Sequence, residues 1–195
     1  MRPLRSLGLF GGSFNPVHSG HVLLARLARE TLGLDEVWFI PCHRSADGKK
    51  LAPGPLRLRW LKMALRGESG LKASDVELRR GGLSRTVDTL SELRLRLGPL
   101  TRFTLLLGQD QALRLPAWKE AQALPALCRL AVFRRPGVPA RALRFKARLV
   151  RAPLFEVSSS EIRALARRGK NLSLWLPPVL AKNTALARFY AAPVR

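Results

Sequence analysis

Short apolar runs alternate along the chain with longer segments whose apolar residues recur at helical spacing. The apolar runs predict strands at 6–10, 37–40, 71–78, 103–107, 130–133 and 155–157. The helical spacing predicts helices at 21–32, 56–66, 87–97, 160–168 and 178–190. Gly33 is expected to end the first helix. Continuous apolar strands between helices indicate an α/β fold with a parallel sheet that is covered on both faces.

Chain length and composition predict a single domain over residues 1–195, with a small C-terminal helical part from about 158 to 195. We find no internal repeat and no linker long enough to divide the chain. No window holds the ~18 consecutive apolar residues of a membrane span, and the first residues lack the features of a signal peptide. We therefore expect a cytoplasmic protein without a membrane partner. Two cysteines are too few for a disulfide framework.

The chain is strongly basic, with 35 Lys and Arg against 13 Asp and Glu, for a formal net charge of +22. Such a balance favours anionic ligands, which include nucleotides, nucleic acids and membrane surfaces. The arginines are spread along the whole chain, however. A solvated surface that is merely rich in arginine is therefore an equally good interpretation of the charge.

The most informative segment is 11–21, which reads Gly-Gly-Ser-Phe-Asn-Pro-Val-His-Ser-Gly-His and joins the first predicted strand to the first predicted helix. A glycine turn before a helix presents main-chain N–H groups and the positive end of the helix dipole to one point, which suits a phosphate. In a parallel sheet, ligands bind beyond the carboxyl ends of the strands. The segments 108–110 and 134–137 follow strands at that same edge.

His18 and His21 lie three residues apart where the first helix begins. Imidazole N–H groups there are donors for phosphate oxygens, which is the interpretation we favour. A zinc site is the second interpretation, although no acidic or cysteine ligand lies nearby in the sequence to complete it. Burial of the two rings for structural reasons alone is the third.

A second motif occupies 157–163, Val-Ser-Ser-Ser-Glu-Ile-Arg. Ser158 and Glu161 have the spacing of a capping box, which fixes the start of a helix. Arg163 then lies near the positive end of that helix, where its guanidinium is placed to bind a polyphosphate. An ordinary capped surface helix is the simpler interpretation if this motif is taken alone.

Together the two motifs resemble the nucleotidyltransferase superfamily, which carries a Gly-x-Phe-Asp/Asn-Pro-x-His-x-Gly-His turn and a late Ser-Ser/Thr-x-x-Arg motif. Within it, the chain is similar to the nicotinate-nucleotide adenylyltransferase family. Four further stretches carry that narrower resemblance: Ser-Arg-Thr-Val-Asp-Thr-Leu at 84–90, Gly-Gln-Asp at 108–110, Leu-Pro-Ala-Trp at 115–118 and Arg-Arg-Pro-Gly at 134–137. The resemblance covers nearly the whole chain and implies a Rossmann-like, doubly wound parallel sheet flanked by helices.

The resemblance implies that AMP is transferred from ATP to nicotinate mononucleotide, giving deamido-NAD and pyrophosphate in NAD biosynthesis. Mg²⁺ is expected as a cofactor carried by the ATP phosphates, with no metal bound by the protein itself. Adenylyl transfer to another acceptor phosphate, such as phosphopantetheine, is the nearest alternative. A basic nucleic-acid-binding protein on the same fold is the alternative from another class, and we do not expect it, because no nucleic-acid-binding motif is present.

The resemblance also assigns roles to particular residues. His18, His21 and Arg163 are the expected catalytic residues. The residues expected to bind ATP are Gly11, Gly12, Ser13, Phe14, Gly20, Gly108, Asp110, Ser159 and Ser160. The residues expected to bind nicotinate mononucleotide are Lys49, Arg85, Thr86, Trp118, Lys119 and Arg135. Trp118 would stack on the pyridine ring, and main-chain N–H groups near Thr86 and Lys119 would receive the nicotinate carboxylate.

Two departures from the family pattern concern the acceptor side. The family often carries Pro-Pro-His-Lys after the second strand, whereas this chain has Cys-His-Arg-Ser-Ala-Asp-Gly-Lys-Lys at 42–50. Either Lys49 or Lys50 replaces that lysine, or His43 and Arg44 serve instead. The second departure is Arg85, which stands where the family usually has an aromatic residue.

Overall fold

Six parallel strands form one sheet in the computed structural model, which describes residues 5–134, 143–153 and 157–192. The strands are β1 (Arg5–Gly12), β2 (Glu36–Pro41), β3 (Leu71–Ala73), β4 (Thr101–Gly108), β5 (Arg129–Arg134) and β6 (Arg148–Arg151). Their order across the sheet is β3-β2-β1-β4-β5-β6, and every neighbouring pair is parallel. Strands β2 and β3 follow β1 on one side, and β4, β5 and β6 lie on its other side. The strand order therefore switches between β1 and β4, which is where ligands of such sheets bind.

Helices cover both faces of this sheet, as the sequence predicts. They are α1 (Ser19–Leu32), α2 (Gly54–Ala64), α3 (Val76–Arg80), α4 (Thr86–Leu97), α5 (Gln109–Arg114), α6 (Leu124–Leu127), α7 (Ser159–Arg167), α8 (Pro178–Ala181) and α9 (Thr184–Ala191). Gly33 ends α1 in the left-handed conformation, with φ 62°, as expected. The strands predicted at 6–10, 37–40, 103–107 and 130–133 and the helices predicted at 21–32, 56–66, 87–97 and 160–168 are all confirmed within a few residues.

Alternate residues of the central strands supply two separate apolar clusters. Phe10 and Phe39 lie in the cluster under α1, α2 and the C-terminal helices, whereas Leu7 and Leu9 lie in the cluster under α4 and α6. This alternation follows from the two-residue repeat of a strand. Because both faces are apolar, the strands have the continuous apolar sequences from which they were predicted.

Three expectations about the elements are wrong or incomplete. The strand predicted over 71–78 ends at Ala73, and a helix turn follows at Val76–Arg80. The single helix predicted over 178–190 is two helices, because the Asn183 side chain accepts a hydrogen bond from the Leu186 N–H at 2.9 Å and starts α9 anew. Strand β6 was not predicted, and most of the strand expected at 155–157 lies outside the described residues.

The C-terminal helical part is present as α7, α8 and α9, with α7 and α9 in contact. Among the residues that the structure describes, no helix is both long enough and apolar enough to cross a membrane. The extent of the domain over 1–195 and the cytoplasmic location stay predictions.

Candidate active site

The loop between β1 and α1 lies at the carboxyl edge of the sheet and is here called the turn (residues 13–18). Gly11 and Gly12 still belong to β1, since they pair with Ile40 and Pro41 of β2. The turn therefore begins two residues later than the sequence predicts. A Cβ atom on Gly11 would meet no protein atom within 4 Å, so the space above the strand end is open to a ligand.

Phe14 shapes the turn in a way that its sequence did not reveal. Its φ of 44° is left-handed, a conformation that non-glycine residues adopt rarely. The side chain is buried and contacts the rings of Phe10, Phe39 and His21 at centroid distances of 5.1 to 5.9 Å. Phe14 thus anchors the turn in the core.

His18 and His21 meet at the start of α1. His18 is the N-cap residue, and the centroids of the two imidazole rings lie 3.6 Å apart. The main-chain N–H of His18 donates to Nδ1 of His21 at 3.3 Å. Because that nitrogen accepts, the proton of a neutral His21 ring lies on Nε2. His21 therefore offers one N–H donor on the side of the ring away from its own helix start.

Both histidines are neutral at pH 7 in the free protein. Burial lowers the pKa of His18 to about 4, although the negative charge of Glu161 opposes this shift. Burial and the neighbouring His18 lower the pKa of His21 well below its ordinary value. Nδ1 of His18 is buried and has no hydrogen-bond partner among the described residues. A ligand oxygen would supply the hydrogen-bond partner that this nitrogen lacks.

The second motif lies directly against the turn. The predicted capping box is confirmed, since Oγ of Ser158 accepts from the Glu161 N–H at 3.2 Å and Glu161 accepts from the Ser158 N–H at 2.7 Å. Oγ of Ser159 then donates to the main-chain oxygen of Pro16 at 2.8 Å. This bond fixes the N-terminus of α7 against the turn that leads into α1.

Arg163 extends from α7 onto the turn. One Nη donates to the main-chain oxygen of Asn15 at 2.8 Å, and the other donates to Oγ of Ser160 at 3.1 Å. The side chain is only partly buried. The residues predicted to hold the phosphates, His18, His21, Ser159 and Arg163, are thus brought together by the fold.

Asn15 belongs to the first motif, and the sequence assigns it no role, but it supports the turn in the structure. Its side chain is 3% exposed, and Oδ1 accepts from the hydroxyl of Tyr190 at 2.7 Å and from the Ala52 N–H at 3.1 Å. Tyr190 belongs to α9, at the far end of the chain. The position of Asn15 inside the motif was a signal for its importance, whereas nothing in the sequence pointed to Tyr190.

Three of the residues expected to bind the acceptor lie at or near the start of α4. Arg85 is the N-cap residue of α4 and Thr86 is its first residue. Nζ of Lys119 lies 3.6 Å from a carboxylate oxygen of Asp88, in the first turn of that helix. The neighbouring Trp118 is half-buried, and its role at the acceptor stays a prediction.

The remaining predicted site residues lie in several other segments. Gly108 ends β4 and the exposed Asp110 lies in the first turn of α5, both at the edge where β1 ends, while Gly20 is buried in α1. Lys49 is paired with Asp47 at 3.2 Å, and Asp47 also binds Arg114 of α5 at 2.8 Å. Arg135 lies outside the described residues.

The loop after β2 is held against the loop before α4. The His43 N–H donates to Oγ of Ser84 at 2.8 Å, the His43 ring bonds the main-chain oxygen of Gly82 at 3.0 Å, and the Ser84 N–H donates to the main-chain oxygen of Arg44 at 3.1 Å. His43 is therefore engaged with protein. The choice among the basic residues of 43–50 for the acceptor stays a prediction.

Metal ligands do not cluster in the described ranges, where no group of three or more His, Cys, Asp or Glu side chains could hold an ion. The donors that converge on the edge of the sheet are N–H, guanidinium and hydroxyl groups. Such a set suits an anion rather than a bare cation.

Comparison with known proteins agrees with this geometry. The model of the cytidylyltransferase-like family matches residues 9–165. A protein of Thermus thermophilus named "Probable nicotinate-nucleotide adenylyltransferase" is 38% identical over 175 residues, which cover 88% of this chain and 91% of the relative. A Myxococcus xanthus protein of the same name is 38% identical over 189 residues, covering 96% of this chain and 94% of the relative.

Solved structures share the fold. The nicotinic acid mononucleotide adenylyltransferase of Plasmodium falciparum, complexed with NaAD, superposes with a TM-score of 0.78 over 95% of this chain and 97% of that one, at 20% identity. The same enzyme complexed with APC gives a TM-score of 0.77 at 18% identity. At this identity the likeness concerns the fold.

Proposed function

This chain belongs to the nicotinate-nucleotide adenylyltransferase family, within the cytidylyltransferase-like proteins, and from this we propose that it transfers AMP from ATP to nicotinate mononucleotide. The products would be deamido-NAD and pyrophosphate. The observation that supports this most directly is the contact of the two motifs. Ser159 and Arg163 bind the main chain of the turn that leads to His18 and His21, so the two motifs lie against each other.

The reaction needs no nucleophile from the protein. An oxygen of the 5′-phosphate of nicotinate mononucleotide attacks the α-phosphorus of ATP and forms the new P–O bond. The bond from the α-phosphorus to the α–β bridging oxygen breaks, and pyrophosphate leaves with the bonding electrons. The protein must align two anions that repel each other and stabilise the charge on the leaving group.

The site residues fit these tasks. We assign the N–H groups of His18 and His21 to oxygens of the α-phosphate, at the transferring centre. Because both rings are neutral, they act there as preorganised donors and not as fixed charges. We assign Arg163, Ser159 and Ser160 to the β- and γ-phosphates, where a guanidinium stabilises the negative charge that accumulates.

Mg²⁺ would enter as part of the substrate, bound to the phosphates of ATP. The described residues supply phosphate-binding donors at this edge and no carboxylate cluster for a resident ion. When bound, the ion would neutralise charge on the leaving pyrophosphate. Gly11 would leave room for the phosphates above β1, Gly12 lies against the Phe14 ring, and Asp110 would contact the ribose of the adenosine.

The start of α4 would recognise the acceptor. Main-chain N–H groups near Thr86 and Lys119 would donate to the nicotinate carboxylate, with Trp118 stacked on the pyridine ring. A carboxylate offers acceptors and a charge, whereas the amide of nicotinamide presents N–H donors that those groups cannot satisfy. Arg85, Lys49 and Arg135 are further candidates for binding this substrate.

The test is pyrophosphate release with MgATP and a panel of acceptors under identical conditions. We expect release with nicotinate mononucleotide and a kcat/KM at least about tenfold lower with nicotinamide mononucleotide. Equal kcat/KM for the two mononucleotides would contradict the assignment of the carboxylate site. Release only with phosphopantetheine would show that phosphopantetheine, and not nicotinate mononucleotide, is the acceptor. No release with any acceptor would contradict the reaction itself.

A further inference from the structure

Arg57 of α2 is the most deeply buried charged residue among those that the structure describes. The mechanism above does not use it. Only 1% of it is exposed. Its guanidinium donates three hydrogen bonds: Nε to the main-chain oxygen of Ala52 at 2.8 Å, and the two Nη atoms to those of Ser13 and Cys42, both at 2.7 Å. Burying a guanidinium costs free energy unless its N–H donors are hydrogen-bonded. These three hydrogen bonds are therefore what allows Arg57 to be buried.

The three acceptors come from three segments that border the active site. Ser13 opens the turn, Cys42 follows β2, and Ala52 precedes α2. The stretch between Cys42 and Ala52 is here called the basic loop (residues 43–51), because it carries Arg44, Lys49 and Lys50. One side chain thus binds both ends of the basic loop and the turn at the same time.

Two main-chain N–H groups also hold the ends of the basic loop, one against the end of β1 and the other against the turn. The Cys42 N–H donates to the main-chain oxygen of Gly12 at 2.9 Å, and the Ala52 N–H donates to Oδ1 of Asn15 at 3.1 Å. The ends of the loop are therefore fixed relative to the residues that precede His18.

The middle of the basic loop has little beneath it. A cavity of about 800 Å³ is lined by the loop residues His43, Ser45 and Lys49 on one side and by Arg57 and Leu78 on the other. Ser84 and Gly82 hold the start of the loop, Arg114 binds Asp47 in its middle, and Arg57 adds to these contacts at the two ends. Arg57 supplies one bond at each of these ends.

We propose that Arg57 is a positioning residue that holds the basic loop at a set distance from the turn, so that the loop's cations lie where the acceptor phosphate binds. This proposal rests on the proposed function. The turn itself has other supports, since Arg163 and Tyr190 bind Asn15 independently of α2. Loss of Arg57 should therefore disturb binding of the acceptor more than binding of ATP.

The experiment compares Arg57→Lys and Arg57→Met with the same substitutions at Arg59, an exposed arginine on the same helix. Thermal unfolding first establishes which variants are folded at the assay temperature. For a folded Arg57 variant, we expect the KM for nicotinate mononucleotide to rise about tenfold or more, with the KM for ATP within about threefold. Both Arg59 variants should match the wild type.

A folded Arg57 variant with an unchanged KM for nicotinate mononucleotide would overturn the proposal. So would a fall in kcat with both KM values unchanged, because that pattern reports only a smaller fraction of folded enzyme. Lysine keeps the charge and loses the three-way geometry, so a normal KM in Arg57→Lys alone would also contradict positioning by the guanidinium.

Hydrogen exchange of the wild type and a folded Arg57→Met variant provides a second test. The amides of Cys42 and Ala52 bind Gly12 and Asn15, so we expect slow exchange there in the wild type and clearly faster exchange in the variant. Equal exchange at these two amides in both proteins would overturn the proposal. If the wild type fails to use nicotinate mononucleotide, the proposed function fails, and this comparison still decides whether Arg57 fixes the loop.

Discussion

One Nη of Arg163 donates to the main-chain oxygen of Asn15 at 2.8 Å, although the two residues are 148 positions apart in the chain. This bond joins α7 to the turn before α1. It also uses only part of the guanidinium, which has five N–H donors. The donors that remain are held in a fixed orientation by the bonds to Asn15 and Ser160, so Arg163 is preorganised for a ligand.

Arg163→Lys tests this arrangement. Lysine keeps the positive charge but cannot bind Asn15, Ser160 and a phosphate in one planar geometry. We expect kcat/KM for ATP to fall by about tenfold or more in steady-state pyrophosphate assays. Arg167→Lys, one helical turn further along α7 and exposed, is the matched control and should retain wild-type kinetics. Equal losses in the two variants would speak against a specific role for Arg163.

His18→Ala should act on the chemical step. Because the ring is assigned to the transferring phosphate, we expect kcat to fall on the order of a hundredfold while the KM for ATP changes by about threefold or less. His18→Gln keeps an N–H donor and should recover part of kcat. A rise in the KM for ATP at constant kcat would show that His18 binds the ground state instead.

The buried His18 also makes stability depend on pH. Its pKa is about 4 in the folded protein and ~6.5 when unfolded, so the unfolded chain binds more protons between these values. Its contribution to stability is complete above pH 6.5 and is lost as the pH falls towards 4. The loss is about 1 kcal/mol at pH 5.5 and about 3 kcal/mol at pH 4.

Urea unfolding of the wild type and His18→Gln across that range measures this contribution. Carboxylates titrate in both proteins, so the difference between the two curves reports His18 together with its coupling to His21. We expect the variant to lose less of its free energy of unfolding between pH 7.5 and pH 4. Parallel curves would mean that His18 is not buried in its neutral form.

Tyr190→Phe removes the hydroxyl that binds Asn15 and keeps the ring that contacts Trp60 at a centroid distance of 5.4 Å. Asn15 Oδ1 retains the Ala52 N–H as a donor. We therefore expect a loss of about 1 kcal/mol in the free energy of unfolding, together with a few-fold rise in the KM for ATP. Unchanged stability and kinetics would show that α9 does not support the turn.

The net charge of +22 predicts a rate that depends on salt. Both proposed substrates are anions, so a positive field raises their rate of encounter with the protein. We expect kcat/KM to fall several-fold between about 20 and 200 mM NaCl, while kcat changes little. A kcat/KM that is independent of salt would favour the other interpretation, in which the arginines only solvate the surface.

The sheet was predictable because its central strands are apolar on both faces. Strand β6 was not, since Arg148, Leu149 and Arg151 are exposed and only Val150 is buried, which leaves no apolar run to detect. The helix over Val76–Arg80 is too short for its period to show. Edge strands and single helical turns are decided by tertiary contacts that a local pattern does not contain.

The two phosphate motifs were predictable for a different reason, because each is a local device at a helix start. Their union depends on Asn15 and Pro16 accepting bonds from α7, which only the fold can arrange. Arg57 and Arg59 look alike in the sequence of α2. What distinguishes them is that carbonyl groups from three remote segments converge on Arg57, and no spacing along the chain records that convergence.

The bond from Tyr190 to Asn15 spans 175 positions and therefore bears on the biosynthesis of the protein. During translation, the turn leaves the ribosome long before α9 is made. The nascent chain can complete its sheet while Asn15 still lacks one of its two donors. The bond forms only after α9 has been synthesised, so a chain terminated before α9 would carry the residues proposed to bind phosphate and lack the bond that secures their turn.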